Sequence, residues 1–395
     1  LRVLFTVIPE KGHLNPCIPV AQVLVGRGHT VAFHSAADIR PQLRRAGLPL
    51  FIGEPPAPEP PAASRGRRFA EQIRDAAWLR GWIKSLLIDA VPAQIEPLRG
   101  VLREFRPDVV VSDPMAYASI IAAELERVPW VALSNSLNPV LPPGLRSELL
   151  DTVEWLRGDR RGLFERYGVA AEFRGCDCLS PRRTICFTTR DFVGDDVPGV
   201  SLVGPSLPRG ERGDEPSETA LNLPAAGATR LIFASFGSQI YFQPRRFKLL
   251  AEALGDDPSV RAVFSVGELV DDAALGPLPA NVTVARYVPQ LDVLRRADLF
   301  VTHGGANSVM EGLAHGVPLL VAPICNDQFH QAWFVKRAGV GDELLLDELD
   351  AAGVRRAVHR VLESHDVRSA CARIASSYQV DGAARAADVI ESVAG

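Results

Sequence analysis

The chain alternates between two textures. Short, almost continuous apolar runs rich in β-branched residues recur at Val3–Ile8, Val31–His34, Val109–Ser112, Val131–Leu133 and Ile185–Thr188. Longer stretches between them carry the periodicity of amphipathic helices, such as Ile18–Arg27, closed by Gly28, and Ala118–Glu126. Strands apolar at every position are covered on both faces, which is the condition of a parallel sheet. The rhythm breaks after Gly204-Pro205, where Ser206–Ala228 is rich in Pro, Gly, Ser, Asp and Glu. It restarts with Leu231–Ser235, Ala262–Val266, Val282–Ala285, Leu299–Thr302 and Leu319–Ala322. Strand–helix alternation on both sides of a polar linker predicts an α/β protein of two Rossmann-like domains facing across a cleft. The expected boundaries are 1–205, a linker over 206–228, 229–375, and a C-terminal helix over 376–395 returning to the first domain.

Two segments depart from this rhythm. Residues 53–68, containing EPPAPEPP, lack amide donors at the prolines and are expected to form a mobile loop near the top of the first domain. Val140–Arg174 reads as helical and is rich in Leu, Trp and Arg. Both follow strands of the first domain, where substrate-contacting loops sit.

Composition narrows the class only slightly. With 395 residues, 47% apolar and 23% charged, the chain has the make-up of a soluble globular enzyme. A net charge of −4 gives no argument for nucleic acid or an anionic membrane. Four lysines stand against 39 arginines, which fits GC-rich coding better than a binding patch. No run approaches the roughly 20 apolar residues that span a bilayer. The opening LRVLFTVIPEKGH reads as a strand rather than a signal peptide, so the expected location is cytoplasmic, with the six cysteines reduced. Cys176 and Cys178 form a C-x-C without further ligands at zinc spacing, and buried thiols are the expected reading.

The first turn, PEKGHLNP, holds one glycine where a dinucleotide-binding turn would hold G-x-G-x-x-G. It places His13 at the carboxyl edge of the sheet, where an imidazole can take a proton near neutral pH. Asp113 closes the strand VVVSD at the same edge. A carboxylate there can orient one imidazole nitrogen and stabilise the imidazolium. The bland alternatives are a helix-capping histidine and an N-cap aspartate. No G-x-S-x-G nucleophile motif points to hydrolysis.

In the second half, FASFGS offers Ser235, Gly237 and Ser238 after a strand, and THGGANSVMEG runs from strand to helix through a glycine pair. Amides at that helix start favour a diphosphate. Gly304 and Gly305 admit close approach, His303, Asn307 and Ser308 offer donors, and Glu311 can accept from a ribose. Tyr287, Val288 and Gln290 begin a loop suited to a nucleobase. Asp327 and Gln328 pair a carboxylate with an amide, a match for vicinal sugar hydroxyls.

Together these pieces resemble the family 1 glycosyltransferases of the GT-B fold, especially bacterial enzymes acting on macrolides and other natural products. The resemblance rests on Gly12, His13 and Pro16, on Asp113, on V-G-P at Val203–Pro205 and on S-F-G-S at Ser235–Ser238. It continues through Pro289-Gln290, H-G-G-x-N-S-x-x-E at His303–Glu311, and Asp327-Gln328. Tyr287 departs from it, since the family usually has Trp there.

The resemblance implies an inverting transfer of a hexose from a UDP- or dTDP-linked sugar to a hydroxyl of a small, largely apolar acceptor. His13 would be the base and Asp113 its partner. Tyr287, Val288 and Gln290 would hold the nucleobase. Ser238, His303, Gly305, Asn307 and Ser308 would hold the diphosphate, Glu311 the ribose, and Asp327 and Gln328 the hexose. Ser235, Gly237 and Gly304 complete the candidate donor site, and Met115 and Asn135 are the candidate acceptor-binding residues. The nucleotide sugar is a co-substrate; no cofactor, metal, nucleic-acid partner or stable membrane insertion is expected, and the chain would be a monomer or homodimer. A sugar-nucleotide epimerase and a non-catalytic partner protein are the competing readings; the first needs no acceptor pocket, and the second need not keep both the base and the diphosphate contacts.

Overall fold

The computed structural model describes residues 1–48, 62–208, 229–270 and 272–395, the side chains of 62–65 and 272 excepted. Among these, 1–48, 75–208 and 380–395 form one compact unit, and 62–74 with 229–379 form another.

In the first unit the strands are β1 (Arg2–Val7), β2 (Thr30–Ser35), β3 (Val109–Ser112), β4 (Trp130–Ser134), β5 (Glu172–Arg174), β6 (Asp177–Leu179), β7 (Thr184–Cys186) and β8 (Val200–Leu202). Six of them form a sheet in the order β2-β1-β3-β4-β7-β8, every neighbouring pair parallel. The register sets Val3 opposite both Val31 and Val109. All residues of β3 and β4 are buried, which is why the sequence shows no alternation there. β5 and β6 form a separate antiparallel hairpin.

The second unit holds β9 (Arg230–Ser235), β10 (Val260–Ser265), β11 (Val282–Ala285), β12 (Leu299–Thr302), β13 (Leu319–Val321) and β14 (Gly341–Glu343). Their order is β11-β10-β9-β12-β13-β14, again all parallel. Phe233 and Phe300 stack at 4.9 Å across β9 and β12. The helix Ala351–Glu363 buries Val354, Ala357, Val358, Val361 and Leu362, one face at helical spacing, in the core that also holds Phe247, Leu250 and Leu254. Its N-cap, Asp350, accepts from the Gly353 amide at 2.7 Å, a contact worth about 1 kcal/mol.

In each sheet the order reverses beside the first strand of its unit, at β1/β3 and at β9/β12. Crossovers leave such a pair in opposite directions, so a crevice opens at the strands' carboxyl ends.

Several expectations are corrected. Part of the stretch 53–68 is helical, because a helix spans Ala62–Gln72, and its described residues belong to the second unit rather than the first. The prolines that argued against regular structure lie before the helix, outside the described residues. Val140–Arg174 is not wholly helical: helices span Glu148–Trp155 and Arg157–Arg166, and the segment ends in β5. The part of the C-terminus that belongs to the first unit starts at Val380 rather than 376, and the helices Ala351–Glu363 and His365–Ser377 stay in the second.

The tail that does return, 380–395, ends in the helix Gly382–Ala394, which packs on Cys17–Gly26. It is seated at V-G-P. A Cβ on Gly382 would lie 2.2 Å from the Pro205 carbonyl oxygen, and one on Gly204 2.3 Å from Val380. Ion pairs from Arg27 to Asp388 (2.8 Å) and Glu391 (2.7 Å) flank the contact.

Candidate active site

At the β1/β3 crevice, His13 sits in the short helix Lys11–Leu14 that follows β1, with its amide bonded to the Glu10 carbonyl. Its Nδ1 lies 2.5 Å from Asp113 Oδ2. The Asp113 side chain is 2% exposed and that of His13 27%, so the carboxylate is held inside while the ring reaches outward. Asp113 does not cap the following helix, Tyr117–Leu125. Its Oδ1 accepts from the Met115 amide at 2.9 Å, a local turn that aims Oδ2 at the imidazole. Asn135, just past β4, donates through Nδ2 to the His13 carbonyl (3.1 Å) and reaches Asp113 Oδ2 at 3.5 Å. Its Oδ1 is buried with no hydrogen-bond partner among the described residues.

Asp177, on β6, lies behind this group. It accepts from Ser134 Oγ (2.5 Å) and Asn138 Nδ2 (2.8 Å), so one buried carboxyl fixes both ends of the loop that carries Asn135. Burial pushes Asp177 up to about 7; the bonds from Ser134 and Asn138 oppose the rise, Asp113 adds to it, and His13 opposes it. Asp177 escaped the sequence reading because it stands inside the C-x-C, where the flanking cysteines drew attention to metal. All six cysteines are buried, and among the described residues no cluster of three His, Cys, Asp or Glu is placed to hold a metal ion.

At the β9/β12 crevice, His303 follows β12 and is 9% exposed. Its ring fills a slot between two glycines. A Cβ would lie 2.5 Å from the ring at Gly237 and 2.5 Å from Nε2 at Gly305. Gly304 has φ +88°, and a Cβ there would lie 2.6 Å from Val321. Only glycine combines that backbone with that space. Burial pushes His303 down to about 4, opposed by a bond to the Ser235 backbone, so the imidazole is neutral at pH 7. Its Nδ1 is buried without a hydrogen-bond partner among the described residues. The helix Ala306–Ala314 starts at Gly305 with no side-chain cap, leaving its first amides for an anion.

Gln290 opens the helix Gln290–Leu294 and donates to Glu311 Oε2 at 2.5 Å, with Ser308 Oγ at 3.4 Å. The structure therefore joins Gln290, Ser308 and Glu311. Tyr287 is half-buried and Val288 buried on the loop after β11, Asn307 is half-buried in the first helical turn, and Ser235 is buried beside the exposed Ser238. Asp327 is half-buried at the head of the helix Gln328–Arg337. Gln328 does not offer its whole amide to a sugar. Its Oε1 accepts from the amides of Ile324 (2.8 Å) and Cys325 (3.1 Å), and its NH₂ lies 4.0 Å from Cys325 Sγ.

The sequence carries the same signal in its relatives. Residues 206–381 match the model of the UDP-glucoronosyl and UDP-glucosyl transferase family. The oleandomycin glycosyltransferase of Streptomyces antibioticus is 30% identical, covering 98% of this chain and 89% of its own. The chain is a family 1 glycosyltransferase. The NDP-glycosyltransferase YjiC of Bacillus subtilis is 28% identical over 98% of this glycosyltransferase and 95% of YjiC. The solved glycotransferase of kitacinnamycin superposes with a TM-score of 0.74 at 28% identity, over 99% and 98% of the two chains. The transferase has the GT-B type of fold, two α/β units each built on a parallel sheet. Among the described residues no helix is long and apolar enough to cross a membrane.

Proposed function

We propose that this glycosyltransferase works by inversion, moving a hexose from UDP or dTDP to a hydroxyl of a small, largely apolar natural product in the cytoplasm. The observation that carries this reading is the His13–Asp113 contact at 2.5 Å, at the carboxyl edge of a sheet. With Nδ1–H donated to Asp113, Nε2 is the basic nitrogen. It takes the acceptor proton as the acceptor oxygen attacks the anomeric carbon. The new C–O bond forms opposite the bond to the diphosphate, which leaves with the electron pair, so an α-linked donor gives a β-glycoside. Asp113 stabilises the imidazolium that results.

The first unit supplies the acceptor-activating group and the second the donor-holding groups. Charge developing on the diphosphate meets the amides at the start of Ala306–Ala314 and the neutral His303. With those donors in place we propose that the reaction needs neither metal nor cofactor. Glu311, joined to Gln290, is assigned to the ribose, Tyr287 and Val288 to the base, and Asp327 and the Gln328 NH₂ to the hexose. Met115 and Asn135 border the acceptor through the dyad. The natural-product acceptor is supported by the relatives named for oleandomycin and kitacinnamycin.

Thermal unfolding with UDP and with dTDP tests the donor half. A ligand at 100 times its Kd adds about 2.7 kcal/mol of apparent stability. A rise with one nucleotide names the donor class. No rise with either, in folded protein, removes the diphosphate reading.

A further inference from the structure

The loop between β13 and the helix Gln328–Arg337 carries Asp327 and is held at both ends. At its exit, Gln328 Oε1 accepts from Ile324 and Cys325. At its entry, the buried Arg246 donates through Nη1 to the carbonyls of Ala322 (3.2 Å) and Pro323 (3.1 Å). Arg246 belongs to a different element, the helix Pro244–Leu254, and its Nη2 is tied to Asp347 at 2.6 Å. Only 9% of the Arg246 side chain is exposed, against 72% of Asp347. The loop also abuts the diphosphate turn, because the Gln328 carbonyl lies 3.1 Å from where a Cβ on Gly304 would stand.

A buried guanidinium is costly, and an apolar side chain would fill the space more cheaply. What an apolar side chain cannot do is grip two successive carbonyls. Arginine can, with Nη1 bonding both and Nη2 left for Asp347, and lysine has no second nitrogen to divide those bonds.

We propose that Arg246 is a positioning residue for the donor sugar, setting the loop 322–328 so that Asp327 and Gln328 meet the hexose. The inference rests on the assignment of those two residues to the hexose. The partners of Arg246 are the loop carbonyls and Asp347, so it would act through the loop, on the sugar more than on the nucleotide.

The test is calorimetric. Dissociation constants are measured for the free nucleoside diphosphate and for its glucose derivative, in the wild type and in Arg246→Lys, Arg246→Gln, Asp327→Asn and Gln328→Ala. Loss of a charged hydrogen-bond pair predicts that the ratio of sugar-nucleotide to nucleotide constants rises about tenfold in Arg246→Gln and less in Arg246→Lys. The nucleotide constant itself should stay within about twofold, where a merely structural lesion would lower the melting point and weaken both ligands together. If Asp327→Asn and Gln328→Ala leave the ratio unchanged, the hexose assignment fails and takes the inference with it. If they shift the ratio and both folded Arg246 variants keep it, the inference about Arg246 alone is overturned. Should Arg246→Gln not fold, Arg246→Lys decides, since it keeps the charge and loses the fork.

Discussion

His13 and Asp113 act on one proton, so their substitutions should not add. We expect His13→Ala to lower turnover by about 10²-fold or more, the scale of a general base. Asp113→Asn should also lower it, and the double variant should be little worse than the worse single one. Nucleotide affinity should barely move in any of the three. Single-turnover rates and calorimetry check both statements; intact turnover in His13→Ala would sink the dyad. This pair was legible in the sequence because both follow unmistakable strands, Asp113 directly and His13 after a short turn. Asp177 and Arg246 were not, because their partners are loop hydroxyls, amides and carbonyls far along the chain, which no local spacing reveals. The loop contacts of the Gln328 carbonyl were not legible either, because their partners are backbone amides.

At the level of elements, the turn from β12 into Ala306–Ala314 separates two jobs of glycine. Gly304 has a backbone that side chains rarely adopt, and its Cβ would collide with Val321. Gly304→Ala should therefore destabilise the fold, by about 1–3 kcal/mol. Gly305 has φ −61°, which alanine accepts, but the methyl would meet the His303 ring. Gly305→Ala should keep most of the stability and lose nucleotide affinity by displacing the imidazole. Denaturant melts and nucleotide titrations on both variants distinguish these outcomes; equal behaviour would mean the slot does not position His303. Strand after strand was readable because fully buried β-branched runs have one interpretation. The short strands Val200–Leu202 and Gly341–Glu343 were missed, since three residues at a sheet edge carry no apolar pattern. The helix Ala62–Gln72 was hidden by the prolines before it.

For the molecule as a whole, buried titratable groups tie stability to pH. His303 and His330 are both pushed down to about 4, by burial first, so between pH 4 and 6.5 the unfolded chain holds protons there that the native state lacks. Their contribution is complete above pH 6.5 and is lost as pH falls through 4. Asp177, raised to about 7 chiefly by burial, has the opposite sign, because the native state keeps a proton that the unfolded carboxyl releases near pH 4. Each proton changes the slope of stability against pH by about 1.4 kcal/mol per unit. Between pH 4.5 and 6, His303→Gln should flatten that slope by about this amount, and Asp177→Asn should steepen it by about the same amount. Urea melts across the range measure both, and parallel slopes would show that both groups titrate in the fold as they do in the unfolded chain. Neither unit is one uninterrupted stretch of chain: residues 62–74 belong to the second, and 380–395 to the first. A chimaera made by cutting a gene for such a transferase at the junction near 206–228 would give each half the wrong parent's piece. To exchange an acceptor-activating half intact, a recombination scheme has to carry the codons for 380–395 with it and leave the codons for 62–74 behind.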